Sequence, residues 1–203
     1  MDLVDILFPS FGGELDNGLP VIENREAPWD ILSKENGCIS DQLPEILGEN
    51  GVFIHPSAKV ADCVEIEGLC YIGENVEIRH GAYLRKGSWI CKDAVVGHST
   101  EVKNSILLPG SKAPHFNYVG DSILGRNVNL GAGTKLSNIR NDRREILVKI
   151  ENRDRVNTGL RKFGALIGEN SQLGCNVVTN PGSILATNSM VPPNETVTGW
   201  FQS

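Results

Sequence analysis

The chain has 203 residues, a formal net charge of −6 at pH 7, and only 6% aromatic residues beside 40% apolar ones. This charge argues against a nucleic-acid surface, which requires a basic patch. The five cysteines form no CxxC pair and predict free thiols in a reducing compartment. The sequence shows neither a signal segment nor an apolar run near the roughly 20 residues of a spanning helix, so we expect a cytoplasmic protein that avoids membranes.

Residues 1–50 lack the regular repeat found further along the chain. Residues 2–8 fit a short strand or a helical turn, and residues 11–20, with Gly and Asn, indicate a loop. Apolar residues at helical spacing in 28–47 predict two short helices separated at Asn36-Gly37. We expect a partly helical N-terminal extension that caps the first coil of the next domain or contacts a neighbouring subunit.

A six-residue repeat of aliphatic residues begins at Ile54 and defines a second domain, residues 51–203. Helices repeat at about 3.6 residues and strands at 2, so a period of six requires a backbone that turns a corner every six residues. The repeat predicts an all-β parallel β-helix with three hexads per coil, in which residues eighteen apart stack. We expect the repeated positions to point into the interior; the first run is Ile54, Val60, Ile66, Ile72, Ile78, Leu84, Ile90, Val96, Val102 and Leu108.

The repeat is interrupted twice, which predicts two excursions from the helix. It resumes at Tyr118 and runs to Leu136, then resumes again at Ile167. The excursions are expected near residues 109–117 and 138–166, the second rich in charge, and the count gives about six coils. Insertions in a solenoid emerge as loops on one side, where function tends to reside.

Arg85 and Lys103 are eighteen residues apart, so the coil geometry stacks the two cations on one face. Stacked like charges repel unless an anion lies between them. A bridging phosphate is one interpretation, and two solvated cations that splay apart are the other.

His80 and His98 form a second stacked pair. A ladder along one face supplies only two or three ligands in a line, which suits a metal poorly. We favour a polar ladder at a subunit contact over a metal site.

His115 differs because it lies in the first predicted excursion, close to Tyr118 in sequence, with Asn129 and Asn138 on nearby coils. A lone loop histidine is usually only solvated. On a rigid scaffold, with a tyrosine and two amides to orient it, it has what a general base requires.

The stretch from Arg85 to Asn138 closely resembles, without gaps, the acetyltransferase domain of the bifunctional N-acetylglucosamine-1-phosphate uridylyltransferase/glucosamine-1-phosphate N-acetyltransferases. The segments that carry the resemblance are 96–98, 101–105, 110–113, His115, 118–121 and 125–134. Residues 158–165 and 173–176 are similar to the C-terminal domains of archaeal-type sugar-1-phosphate nucleotidylyltransferases. The resemblance implies a left-handed coil, a homotrimer with sites between subunits, and acetyl-CoA as co-substrate.

The resemblance also implies a role for individual residues. It places His115 as the catalytic base, Arg85 and Lys103 on the substrate phosphate, Tyr118 and Asn129 on the sugar, and Arg144 where the family has a sugar-site lysine. It places Asn138, Ala132 and Cys175 at the coenzyme, and no metal is required for the transfer.

The sequence departs from the family at several positions. Ile139 replaces an aromatic residue, Arg144 replaces the lysine, and the C-terminal tail has no counterpart after Ser203. Residues 1–50 show no glycine-rich phosphate loop, because Phe11-Gly12-Gly13-Glu14 is not followed by the required Gly and Arg, so we expect no nucleotidyltransferase half.

The leading hypothesis is an acetyl-CoA-dependent N-acetyltransferase acting on an amino-sugar phosphate. Two alternatives stay open. One is a non-catalytic sugar-phosphate or sugar-nucleotide binding module that partners a separate nucleotidyltransferase. The other is a purely structural trimerisation solenoid, against which the His115, Tyr118, Asn129 and Asn138 set argues.

Overall fold

The structure, a computed structural model, describes residues 1–12, 18–34, 37–47, 51–151 and 153–203, with side chains omitted at 45 and 46. It confirms the predicted parallel β-helix, a three-sided prism whose faces we call A, B and C. Within the described residues, face A has eight strands and faces B and C have seven each. At about 4.8 Å between strands, the prism is about 34 Å tall.

Each face is a stack of short parallel strands. Face A contains β1 (Val52–Ile54), β4 (Cys70–Ile72), β7 (Ser88–Ile90), β10 (Ser105–Leu107), β13 (Ile123–Leu124), β18 (Ala165–Ile167), β21 (Ser183–Leu185) and β24 (Trp200–Phe201). Face B contains β2 (Lys59–Val60), β5 (Glu77–Ile78), β8 (Val95–His98), β11 (Lys112–His115), β14 (Asn129–Leu130), β19 (Gln172–Leu173) and β22 (Met190–Val191). Face C contains β3 (Glu65–Ile66), β6 (Tyr83–Leu84), β9 (Glu101–Lys103), β12 (Tyr118–Gly120), β15 (Lys135–Leu136), β20 (Val178–Thr179) and β23 (Thr196–Val197).

The prism has more coils than the six predicted, because the chain leaves the repeat only once. Residues 109–117 contain strand β11, which pairs with β8 and β14, so the first predicted excursion is part of the coil. The interior residues there are Leu107, Ala113 and Val119. Leu108 and Tyr118, predicted to point inward, do not, because two five-residue steps, Val102 to Leu107 and Val119 to Leu124, each shift the phase by one.

Face A is apolar on its outer side as well, and the N-terminal segment covers it. The outward Tyr71, Trp89, Ile106, Ile123 and Leu166 belong to one core with the N-terminal apolar residues. Trp89 is fully buried, and its Nε1 donates to the Gly18 oxygen at 3.0 Å. Burying a large side chain stabilises by about 1.5–3 kcal/mol, so this outer layer is a substantial part of the fold.

The N-terminal segment runs along face A rather than only over the first coil. It contains α1 (Leu3–Leu7), a 3-10 helix (Pro28–Leu32) with Pro28 in its first turn, and α2 (Ile39–Leu47). The Leu7 oxygen accepts from the Glu169 nitrogen in a late coil at 2.9 Å, whereas α2 contacts β1 and β4 in the first coils. Asn36, at the predicted break between the helices, and Gly13 and Glu14, in the segment compared with the phosphate loop, lie outside the described residues.

The second excursion forms an antiparallel hairpin of β16 (Leu147–Lys149) and β17 (Arg155–Asn157). Its buried Ile146, Val148 and Ile150 join the outer core on face A. The coil resumes at β18.

All five cysteines are free, as predicted. Cys70 lies in the prism interior, and its neighbours Gly68 and Arg85 offer only main-chain oxygens at 3.3 and 3.4 Å. Among the described helices, none has the length and apolar character needed to cross a membrane.

Candidate functional site

Three predicted site residues lie on successive coils of one prism corner. We call the turn between faces B and C corner BC. The His115 oxygen accepts from the Gly133 nitrogen at 3.0 Å, and the Ala132 oxygen accepts from the Asn176 nitrogen at 2.8 Å. His115, Ala132 and Cys175 therefore form a column along corner BC, with His115 and Cys175 exposed.

A buried amide fixes the turn that carries His115. The His115 nitrogen donates to Asn117 Oδ1 at 3.0 Å, and Asn117 Nδ2 donates to the Gly131 oxygen at 2.8 Å. Between them, Phe116 adopts a φ of 53° and is 56% exposed. A bulky residue with positive φ costs about 1–3 kcal/mol and persists only where its surroundings impose it. Asn117, which is only 3% exposed, supplies that constraint through these two hydrogen bonds.

The predicted histidine ladder continues along the same corner. The rings of His80 and His98 stack with centroids 4.1 Å apart, and His98 pairs in register with His115. The Phe116 ring meets His98 edge-on at 5.2 Å. Within the described residues, no group of three or more His, Cys, Asp or Glu is placed to hold a metal ion.

A second set of predicted residues meets around Asp121, which is only 3% exposed. Its carboxylate lies 3.4 Å from Lys103 Nζ and accepts from Asn104 Nδ2 at 2.9 Å. Asn138 Nδ2 donates to the same carboxylate and, at 3.2 Å, to the Tyr118 hydroxyl. Asp121 thus joins Lys103, Tyr118 and Asn138 into one polar network.

Arg85 lies directly beside Lys103 in the face C register, as the eighteen-residue spacing predicts. The chain itself supplies carboxylates that offset both cations, Asp121 for Lys103 and two glutamates for Arg85. Arg85 NH1 lies 3.0 Å from Glu101, and its Nε lies 3.4 Å from Glu67. Hydrogen bonding to Glu101 raises the pKa of the Arg85 guanidinium. A bridging phosphate is therefore not needed to hold the pair together.

Tyr118 keeps its proton over a wide pH range. Burial raises the pKa of its phenol, and the nearby Glu101 and Asp121 carboxylates add to the effect. At neutral pH the hydroxyl is thus a hydrogen-bond donor at the edge of the Asp121 network.

The last two predicted residues stand apart from these sets. Asn129, half-buried in β14, lies opposite Lys112 on face B and has no hydrogen bond to Tyr118 or Asn138 in the described part of the chain. Arg144 is exposed in the second excursion. Its main-chain nitrogen donates to Asp142 Oδ1 at 3.2 Å, and its side chain enters no ion pair with a described residue.

Sequence reasoning missed Asp121, Glu101 and Asn117. The eighteen-residue rule does not place Asp121 beside Lys103, because the coil from Val102 to Val119 has seventeen residues and Gly120 lies in register with Lys103. No spacing rule marks Asn117 either, because its importance comes from the main-chain groups that its amide reaches around the corner.

No protein-family model matches the chain. The chain is 36% identical over 188 residues to the bifunctional sugar-1-phosphate nucleotidylyltransferase/acetyltransferase of Sulfurisphaera tokodaii, covering 84% of this chain and 44% of that protein. It is 32% identical over 218 residues to the bifunctional protein GlmU of Methanococcus maripaludis strain C7, covering 95% and 53% respectively. The chain thus spans about half the length of these relatives.

Among solved structures, the chain is similar to the H141N mutant of perosamine N-acetyltransferase from Caulobacter crescentus, determined with CoA and GDP-perosamine. The sequence identity is 16% and the TM-score is 0.34, with coverage of 74% of this chain and 50% of that one. This likeness carries no argument about the activity of the present chain.

Proposed function

We propose that this chain, a homologue of the bifunctional sugar-1-phosphate nucleotidylyltransferase/acetyltransferases, is an acetyl-CoA-dependent N-acetyltransferase that acts on an amino-sugar phosphate. The observation that carries the proposal is the column of His115, Ala132 and Cys175 on corner BC beside the Asp121 network. A base, a coenzyme path and a polar acceptor site are the three parts that acetyl transfer requires.

The column suits an extended coenzyme. Ala132 and Cys175 have short side chains, so they leave an open path along the corner above His115. A pantetheine arm lying on this path would bring its thioester to His115. Asn138, assigned to the coenzyme by resemblance, instead joins Tyr118 and Asp121, and we propose that it borders both ligands.

The chemistry then follows from an imidazole at the end of that path. The acceptor amine attacks the thioester carbonyl carbon, a C–N bond forms, and His115 takes the amine proton. Main-chain N–H groups near the corner stabilise the tetrahedral oxyanion. The C–S bond breaks, and the departing sulfur receives the proton from His115.

The acceptor phosphate would bind at Lys103 and Arg85, with the sugar at Tyr118 and Asn129. Lys103 is 22% exposed and Arg85 is 36% exposed, so both can reach a ligand without leaving their carboxylates. The exposed His115 and Phe116 need a second wall to exclude water. We propose that a neighbouring copy in a homotrimer supplies it, that residues 1–50 act as an extension along the solenoid, and that residues 51–203 form the acetyltransferase domain.

The test is release of free thiol from acetyl-CoA with glucosamine 1-phosphate and galactosamine 1-phosphate as acceptors. His115→Ala should lower kcat by about 10²–10⁴-fold, the range for loss of a general base. His55→Ala, at a half-buried histidine of the first coil, is the matched control and should retain activity. Equal activity in His115→Ala and the parent protein would rule out His115 as the base.

A non-catalytic sugar-phosphate binding module that partners a separate nucleotidyltransferase is the second candidate. The position of Arg144 favours it, because this residue, expected at the sugar, stands apart from the Asp121 network. No thiol release from the parent protein, with a melting temperature still raised by a sugar phosphate, would support the binding module. Lys103→Met should abolish that rise, whereas Lys59→Met on face B should not.

A further inference from the structure

A cleft of about 860 Å³ lies next to the Asp121 network, on the side away from corner BC. It lies at the corner between faces C and A, where the coil meets the N-terminal segment and the end of the second excursion. Asn104 holds these parts together, because its Nδ2 donates to the Leu32 oxygen and to Asp121 Oδ1, each at 2.9 Å. A cleft of this size accommodates a nucleotide-sized molecule.

The described lining of the cleft is strongly cationic in a chain of net charge −6. Its charged members are Lys34, Lys86, Lys103, Arg161 and Lys162, against Asp41 and Asp121. Asp121 already pairs with Lys103 and accepts hydrogen bonds from Asn104 and Asn138. Asp41 accepts from the Gly37 nitrogen at 3.0 Å. The cleft therefore holds more positive charge than its own carboxylates offset.

Four of these cations form no ion pair within the described part of the chain. Lys34, Lys86, Arg161 and Lys162 are exposed and enter no ion pair with any described residue. They come from three separate parts of the chain, so the fold, not local sequence, brings them to one cleft. This contrasts with Arg85, Lys92 and Arg79, each of which pairs with a carboxylate on its own face or an adjoining corner. Gathering unpaired cations around a concave surface concentrates positive potential there.

Phosphate groups fit this chemistry. Lys supplies compact charges and Arg a planar fork that binds two phosphate oxygens at once. A single phosphate would pair with one or two of the cations. Two linked phosphates could pair with all four, which come from three parts of the cleft wall. The partly apolar wall formed by Leu32, Cys38 and Leu160 offers a surface for the remainder of such a ligand.

We propose that this cleft binds the diphosphate group of a nucleotide. Two sources share that chemistry. One is the nucleotide half of a nucleotide-linked amino sugar, whose sugar would pass Lys103 and Asp121 to reach Tyr118; this case rests on the proposed acetyltransferase function. The other is a free nucleotide that binds beside the acetyl-transfer site.

The test is calorimetric titration of the full chain with pyrophosphate, UDP and glucosamine 1-phosphate at one fixed ionic strength. The cleft variant carries Lys86→Gln, Arg161→Gln and Lys162→Gln. The control carries Lys59→Gln, Lys149→Gln and Arg155→Gln, exposed residues that remove the same net charge elsewhere. Lys86→Gln alone provides a milder variant of the cleft.

Pyrophosphate and UDP should bind the parent protein with one site per chain. The cleft variant should weaken both by about tenfold or more, because several charge-assisted hydrogen bonds are lost, while the control stays within about twofold. Glucosamine 1-phosphate should bind equally to all three proteins. Absence of saturable UDP binding, or equal weakening in the control, would overturn the proposal.

Acetyl transfer separates the two sources. If UDP inhibits competitively against the amino-sugar acceptor, the cleft holds the nucleotide half of that acceptor. If UDP binds without competing, the cleft holds a free nucleotide. If the chain transfers no acetyl group at all, the titrations still decide whether the cleft binds a diphosphate.

Discussion

Cys175 and His115 lie on the same prism corner two coils apart, with Ala132 on the coil between them. Cys63 is on this corner too, but in the first coil, where its oxygen accepts from the Gly81 nitrogen at 3.3 Å. Both thiols are exposed and lie on opposite sides of His115 along the corner, so the reactivity of each shows whether a ligand covers its side.

A bound coenzyme should therefore protect one thiol and not the other. We expect acetyl-CoA to slow alkylation of Cys175 by iodoacetamide about fivefold or more at ten times its Kd, because a ligand in excess occupies the path at most times. Cys63 should react at an unchanged rate. Peptide mass spectrometry measures both in one sample, and equal protection of the two, or protection of Cys63 alone, would contradict the proposed coenzyme path.

Asp121 should be the most costly carboxylate to remove from the site. Asp121→Ala leaves Lys103 without its ion pair and removes the acceptor of Asn104 and Asn138, so we expect a loss of about 2–4 kcal/mol in the free energy of unfolding. Asp142→Ala removes an exposed ion pair with Arg140, which is screened by solvent, and should change the free energy of unfolding little. Urea denaturation compares the two, and similar values for both variants would show that the network adds little to stability.

Trp89 should be needed for the N-terminal segment to stay on face A. Trp89→Ala removes a fully buried indole and its hydrogen bond to Gly18, and should destabilise by about 3–5 kcal/mol. Trypsin should then cut within residues 1–50 at lower enzyme concentration. Phe116→Ala, at a 56% exposed ring, should leave both measurements close to those of the parent chain. If proteolysis of the Trp89 variant were unchanged, contacts other than those of Trp89 would hold the segment on face A.

Cys70 should make the fold sensitive to alkali. Burial raises the pKa of its thiol from 9.0 to about 11. The folded state then retains a proton that the unfolded chain releases, so stability is full below pH 9 and falls as the pH rises towards 11. A shift of two pKa units corresponds to about 2.7 kcal/mol of folding stability that is lost across this pH range.

The check is urea denaturation between pH 8 and 11. Cys70→Ala should flatten the decline relative to the parent protein, whereas Cys63→Ala, at an exposed thiol, should not. The slope against pH is compared rather than the absolute stability, since the alanine also leaves a small cavity. A slope unaffected by Cys70→Ala would assign the alkaline loss to another group.

The hexad period predicted the fold because one kind of contact repeats along it. Every interior position, such as Ile72 or Leu84, meets the same neighbours one coil away, so local spacing carries the three-dimensional rule. The rule loses phase wherever a coil omits one residue. Val102 to Leu107 and Val119 to Leu124 are such steps, and the interior residue between them, Ala113, is too small to stand out among the large aliphatic residues of the repeat.

Part of the candidate site could be predicted from the same residue spacing. The stacking of Arg85 on Lys103 follows from the eighteen-residue spacing, whereas the contact of Lys103 with Asp121 does not, because Gly120 lies in register with Lys103. Their carboxylate partners decide how the charges behave, and these depend on side-chain directions that spacing leaves open. Asn129 and Arg144 illustrate the limit, because their positions relative to Tyr118 follow from which face or excursion carries each residue.

By itself, the sequence determined the parallel β-helix and the stacking of Arg85 on Lys103, since both depend on spacing along the chain, and it indicated the free thiols through the cysteine pattern. The tertiary structure alone decided where the described parts of residues 1–50 lie, which residues form the column on corner BC and which cations share a cleft. The reason is physical: the outward side chains of face A and the cations Lys34, Lys86 and Arg161 come from distant segments. Only the packing of those segments against the prism brings them within reach of one another.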